Sequence, residues 1–104
     1  MVARLYSMRD EPAVRGFLDM HPSLGPALLQ ASPYLKEHFG EDVEVTLEVV
    51  GDPEAEGRQE LFAYIRTRLA AEEAYARLNR LDEEWFLDRV AQFHGRFNFN
   101  LEFV

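Results

Sequence analysis

Apolar and polar residues alternate strictly over the last nine positions of the chain. In Arg96-Phe97-Asn98-Phe99-Asn100-Leu101-Glu102-Phe103-Val104, the side chains of Phe97, Phe99, Leu101 and Phe103 share one face, and those of Arg96, Asn98, Asn100 and Glu102 share the other. This is the period of a half-buried β-strand. Burying those four apolar side chains contributes about 6 to 12 kcal/mol before the loss of conformational entropy is set against it. The rest of the chain must therefore supply an apolar surface. The same alternation recurs over residues 43–50, where Val43, Val45, Leu47 and Val49 point inward against Glu44, Thr46 and Glu48. It recurs again from Leu61 to Leu69, where Leu61, Ala63, Ile65 and Leu69 oppose Phe62, Tyr64, Arg66 and Arg68. The polar segment between these two strands, Gly51 to Glu60, reads as a hairpin loop.

Elsewhere the apolar positions follow the three-four spacing of helices. Asp10 stands where a helix N-cap is expected, followed by Glu11 and Pro12 in the first turn and by Val14, Phe17 and Leu18 on one face. His21-Pro22 ends this helix, because the residue before proline is pushed out of the α region. A second helix is expected from Ser23 to Phe39, with Leu24, Ala27, Leu28, Ala31, Leu35 and Phe39 as its buried stripe and Gly40 as its stop. Pro33 predicts a kink or break near Ala31 and Ser32. From Ala71 a third helix carries Ala74, Tyr75, Leu78, Leu81 and Trp85, extended by Phe86, Val90 and Phe93, and Asp82 is placed to cap a second segment if it breaks.

The expected order is helix, helix, strand, strand, helix, strand, in a single α+β domain over residues 1–104. The hairpin pairs its two strands antiparallel, and the last helix is a crossover that returns the final strand parallel to the second. A crossover that skips one position gives a three-stranded mixed sheet in the order 2-1-3. Residues 43–50 then lie in the centre and the helices cover one face as a two-layer sandwich.

Composition adds mainly exclusions. The chain of 104 residues is 47% hydrophobic, enough for a core without staples. It has no cysteine, so disulfides and thiolate chemistry are ruled out. No secretory signal or membrane-spanning run is recognisable, and a cytoplasmic protein is expected. The net charge of −8 opposes a non-specific hold on nucleic acid.

Candidate chemistry is sparse. Asp52, Glu54, Glu56 and Glu60 occupy four acidic positions of a calcium loop with Gly57 at the sixth. Ala63 stands where the bidentate glutamate belongs, and strands flank the segment where helices should. A solvated acidic loop is the expected reading. His21, His38 and His94 show no ligand spacing with one another or with the carboxylates, and no metal set, cofactor motif, phosphate loop or nucleophile elbow is recognisable.

Leu47-Glu48-Val49-Val50-Gly51-Asp52-Pro53-Glu54, followed by Leu61-Phe62-Ala63-Tyr64-Ile65-Arg66-Thr67 and by Glu73-Ala74 through Trp85-Phe86-Leu87, resembles a group of small uncharacterised bacterial proteins. The likeness covers about the last two-thirds of the chain and rests on pattern rather than on a diagnostic motif. It implies a similar compact fold and carries over no functional residues.

The surface expected to matter is the outward face of the sheet, with Phe62, Tyr64, Arg66, Arg68, Arg96 and Asn98. Aromatics beside arginines resemble a stacking platform for single-stranded RNA, but cross-strand pairing with Glu44 and Glu48 neutralises it. Phe62 and Tyr64 then ask for another cover, either the N-terminal arm with Leu5 and Tyr6 or a second subunit. A non-catalytic protein–protein interaction module, as a homodimer, is the expected function. The alternative is an enzyme or small-ligand binder with a pocket between helices and sheet near Trp85 and His94.

Overall fold

The computed structural model describes residues 5–51, 59–93 and 95–104. The calcium-loop segment, apart from Gln59 and Glu60, and His94 lie outside the described residues. Strand β1 (Ser7–Met8) leads into helices α1 (Glu11–Met20) and α2 (Leu24–Phe39). Strands β2 (Glu44–Gly51) and β3 (Gln59–Thr67) follow. Helix α3 (Ala71–Leu81) runs on into a π-helical turn (Asp82–Phe86), then come a short helix α4 (Val90–Phe93) and strand β4 (Phe97–Phe103).

Asp10 precedes α1 in the left-handed conformation, at φ 54°, and its side chain makes no capping bond. Its carbonyl accepts the Val14 N–H at 3.1 Å, so the main chain opens the helix without the expected side-chain cap. Helix α2 passes unbroken through Pro33, where a kink or a break was expected, and the break does not occur. The proline is exposed, whereas Leu24, Leu28 and Ala31 before it and Leu35 after it are buried. That continuous stripe outweighs the roughly 3 kcal/mol that an interior proline costs. At the far end Gly40 has φ 101°, and its N–H donates to the Lys36 carbonyl at 2.9 Å.

The sheet has four strands in the order β1-β2-β3-β4; the expected three strands in the order 2-1-3 are incorrect. Ser7–Met8 pairs in parallel with β2, in register Ser7 to Thr46 and Met8 to Leu47. This two-residue strand takes the edge of β2 where the last strand was expected. Strand β4 therefore lies against the free edge of β3, parallel to it and in register Leu61 to Phe97 and Thr67 to Phe103. The hairpin between β2 and β3 is antiparallel as expected, and β4 runs parallel to β3 as expected, although paired with it rather than one position away. Each parallel pair is now joined by an adjacent crossover through helices, the shortest connection available to it.

The helices cover one face. Val45, Leu47, Leu61, Ala63, Ile65, Phe97, Phe99 and Leu101 turn into one core with Val14, Phe17, Leu24, Leu28, Leu35, Leu81 and Trp85. Leu69 falls beyond β3, and Thr67 is the residue that ends its buried row. Among the described residues, no helix is long and apolar enough to cross a membrane.

Candidate functional site

The face of the sheet opposite the helices is built from rows of side chains, and register decides which residues meet. Ser7, Thr46, Tyr64 and Asn100 form one row across all four strands. Glu48, Phe62 and Asn98 form the row beside it, and Glu44, Arg66 and Glu102 the row on its other side. Phe62 and Tyr64, two residues apart on β3, stack on each other at 5.8 Å between ring centroids and 25° between planes. Both are half-buried.

A chain of ion pairs frames these rings. Arg9 lies just past β1, and its N–H donates to the Leu47 carbonyl at 2.9 Å, prolonging the pairing with β2. Its guanidinium lies 5.5 Å from the centre of the Tyr64 ring, within cation–π range. It pairs with Glu48 at 3.4 Å and donates to Glu102 at the opposite side of the sheet. Arg66 continues the chain, reaching Glu102 at 3.3 Å and Glu44 at 3.1 Å. The bond to Glu102 holds the Arg9 guanidinium still further above the usual arginine range. Partial burial, then the nearby Glu48 carboxylate, raises the Tyr64 hydroxyl.

Among the other expected surface residues, only Asn98 takes a place in these rows, beside Phe62. Arg96 donates to the Gln59 carbonyl at 3.0 Å, Asn98 accepts a main-chain N–H of its own strand, and Arg68 is exposed at the end of the sheet. There an open cleft of about 730 Å³ lies among Phe39, Val43, Leu69, Arg66, Arg68 and Val104. Of the two residues named for an alternative pocket, His94 lies outside the described residues. Trp85 is fully buried, with its ring 6.2 Å from Phe93 and 6.0 Å from Phe99.

Two groups were not anticipated from the sequence. Arg9 is one; its only signal was the brief alternation of Tyr6 and Met8 with Ser7 and Arg9. Tyr6 does not cover the open face, because it turns into the core and its hydroxyl donates to the Leu28 carbonyl at 2.6 Å. The other is a group of possible metal ligands, Glu37, His38 and Glu84. His38 lies 2.7 Å from Glu84, a residue 46 positions away that no local spacing could connect to it. Comparison of the chain with known protein families, with curated proteins and with solved structures returns no match.

Proposed function

We propose that this protein is a non-catalytic interaction module that forms a homodimer through the open face of its sheet. The observation that carries this reading is the stacked pair Phe62 and Tyr64, only partly buried on a face that the helical layer leaves bare. An apolar centre inside a charged rim is the usual anatomy of a protein–protein interface. The rim also favours a second copy of the chain over a partner of one charge. It carries both signs, with Arg9 and Arg66 among Glu44, Glu48 and Glu102. A two-fold contact lays such a patch on itself with opposite charges opposed, whereas a patch of one sign repels its copy.

The three long strands span roughly 14 by 26 Å at ordinary strand spacing and rise. That footprint of about 400 Å² is small beside the ~800 Å² that each partner buries in a standard interface. The dimer is accordingly weak and concentration-dependent. A nucleic-acid role is disfavoured by the same rim, because binding phosphate first requires Arg66 to leave two carboxylates.

Sedimentation of the wild type and of Tyr64→Glu tests the reading. The wild type is expected to shift toward dimer as its concentration rises, and the variant to stay monomeric. A monomeric wild type, or a variant that dimerises as tightly, removes the support for this surface.

A further inference from the structure

His38 is the penultimate residue of α2, and its side chain is only 9% exposed. Its Nε2 lies 2.7 Å from Glu84 Oε2, while Glu84 is half-exposed and Glu37 is exposed beside it. One ligand atom from each of the three lies within 4.8 Å of the others. We propose that Glu37, His38 and Glu84 bind a divalent transition-metal ion of the zinc type, which ties the end of α2 to the π-helical turn.

Glu84 is carried on a π-helical turn of the backbone. In the turn Asp82–Phe86 the Leu87 N–H donates to the Asp82 carbonyl at 2.8 Å, one residue further back than in an α-helix. Trp85 and Phe86 both enter the core here, while Glu84 stays at the margin beside His38. Insertions of this kind occur frequently at functional sites.

The donor set selects the ion. One imidazole nitrogen with two carboxylate oxygens suits zinc and its neighbours, whereas calcium takes six to eight oxygens and magnesium a near-octahedral oxygen shell. Zinc bonds of about 2.0–2.1 Å in a tetrahedron place ligand atoms roughly 3.3 Å apart. The His38–Glu84 contact must open slightly and the widest separation must close, by shifts that exposed carboxylates make with a change of rotamer. Nε2 must present its lone pair to the ion, so the ring binds with its hydrogen on Nδ1. Arg77 is the opposing charge: it donates to the His38 carbonyl at 2.9 Å, and its pairing with Glu73, also at 2.9 Å, offsets its repulsion of a cation.

Calorimetric titration of the full chain with zinc chloride, in a non-chelating buffer, tests the site. One equivalent is expected to bind and to raise the melting temperature, because an ion held only by the native state stabilises it. His38→Ala and Glu84→Gln are expected to weaken binding by at least about tenfold. Glu72→Gln, a carboxylate in the first turn of α3, is expected to leave it unchanged. Glu84 is half-exposed, so its variant keeps the fold even if the histidine variant does not. A wild type that binds no zinc, or binding equally tight in Glu84→Gln, overturns the proposal.

Discussion

Arg9 and Glu102 stand 93 positions apart in the chain, and the guanidinium of one donates to the carboxylate of the other across the open face of the sheet. The pair joins the arm that follows β1 to β4, the strand at the opposite edge. Its contribution to folding is measurable as a coupling between Arg9→Ala and Glu102→Gln in urea denaturation of the two single variants and the double variant. The coupling is expected to be favourable at low salt and to shrink in 1 M sodium chloride, where the Debye length falls to about 3 Å. Zero coupling at low salt would place this pair among the exposed ion pairs that contribute nothing.

Two main-chain donors on the free edge of β4 are occupied by its own asparagines. The Leu61 N–H donates to the Arg96 carbonyl at 2.7 Å and the Val104 N–H to the Thr67 carbonyl at 3.1 Å. In this parallel ladder, therefore, even-numbered residues of β4 turn their main-chain groups toward β3, and Phe97, Phe99, Leu101 and Phe103 turn theirs outward. Asn98 Oδ1 accepts the Phe99 N–H at 2.9 Å and Asn100 Oδ1 accepts the Leu101 N–H at 2.9 Å. Two outward donors that would otherwise recruit another strand are thus occupied. Replacing both asparagines by valine, in a Tyr64→Glu background that removes the proposed dimer surface, is expected to produce new concentration-dependent association in sedimentation velocity. A species that stays monomeric would mean that these caps do not limit edge pairing.

How much of this was legible follows from where each feature keeps its information. The strands β2, β3 and β4 are written in a period of two, because one face of each packs on helices while the other does not. The alternation is longest in β4, and there Phe97, Phe99 and Leu101 are buried as expected, whereas Phe103 at the strand's end is exposed. Strand β1 has two residues, too few for any period to show, and missing it displaced β4 to the wrong neighbour. The π-helical turn is invisible for a related reason, since Leu81, Trp85 and Phe86 fit an uninterrupted helical stripe equally well. Phe62 and Tyr64 could be placed on the open face from alternation alone. Arg9 and the meeting of His38 with Glu84 depend on tertiary contacts that a single sequence does not encode locally.

Trp85 presents a sharper test of the core. Its side chain is fully buried, and its Nε1–H has no acceptor among the described residues. Its ring also carries the Arg89 guanidinium at 5.0 Å. Trp85→Ala removes the whole ring and is expected to cost about 3–5 kcal/mol in chemical denaturation. Trp85→Phe leaves a smaller cavity and also removes a buried donor whose lack of a partner costs about 1–3 kcal/mol. The two effects oppose each other, so this variant is expected to lie within about 1 kcal/mol of wild type. A loss from Trp85→Phe approaching that of the alanine variant would show that the indole N–H makes a strong bond in the native protein.

Tyr6 couples the same core to pH. Burial raises its hydroxyl well above the ordinary value of 10.0, and that hydroxyl donates to the Leu28 carbonyl at 2.6 Å, fastening the start of the chain to α2. The unfolded chain loses this proton near pH 10, whereas the folded chain keeps it to higher pH. The native state therefore binds more protons over that interval, and linkage makes it less stable as pH rises. The stabilisation from a protonated, bonded Tyr6 is fully present below pH 10 and declines above it by about 1.4 kcal/mol per pH unit. Tyr64 shifts in the same direction, also mainly through burial, and it remains in a Tyr6→Phe variant. That variant is expected to cost about 1 kcal/mol at neutral pH through the lost hydrogen bond. Above pH 10 its stability should fall less steeply than that of wild type, by the equivalent of one proton. Urea midpoints measured from pH 7 to pH 11.5 decide the matter, and parallel curves for the two proteins would show that Tyr6 ionises in the folded state as readily as in the unfolded one.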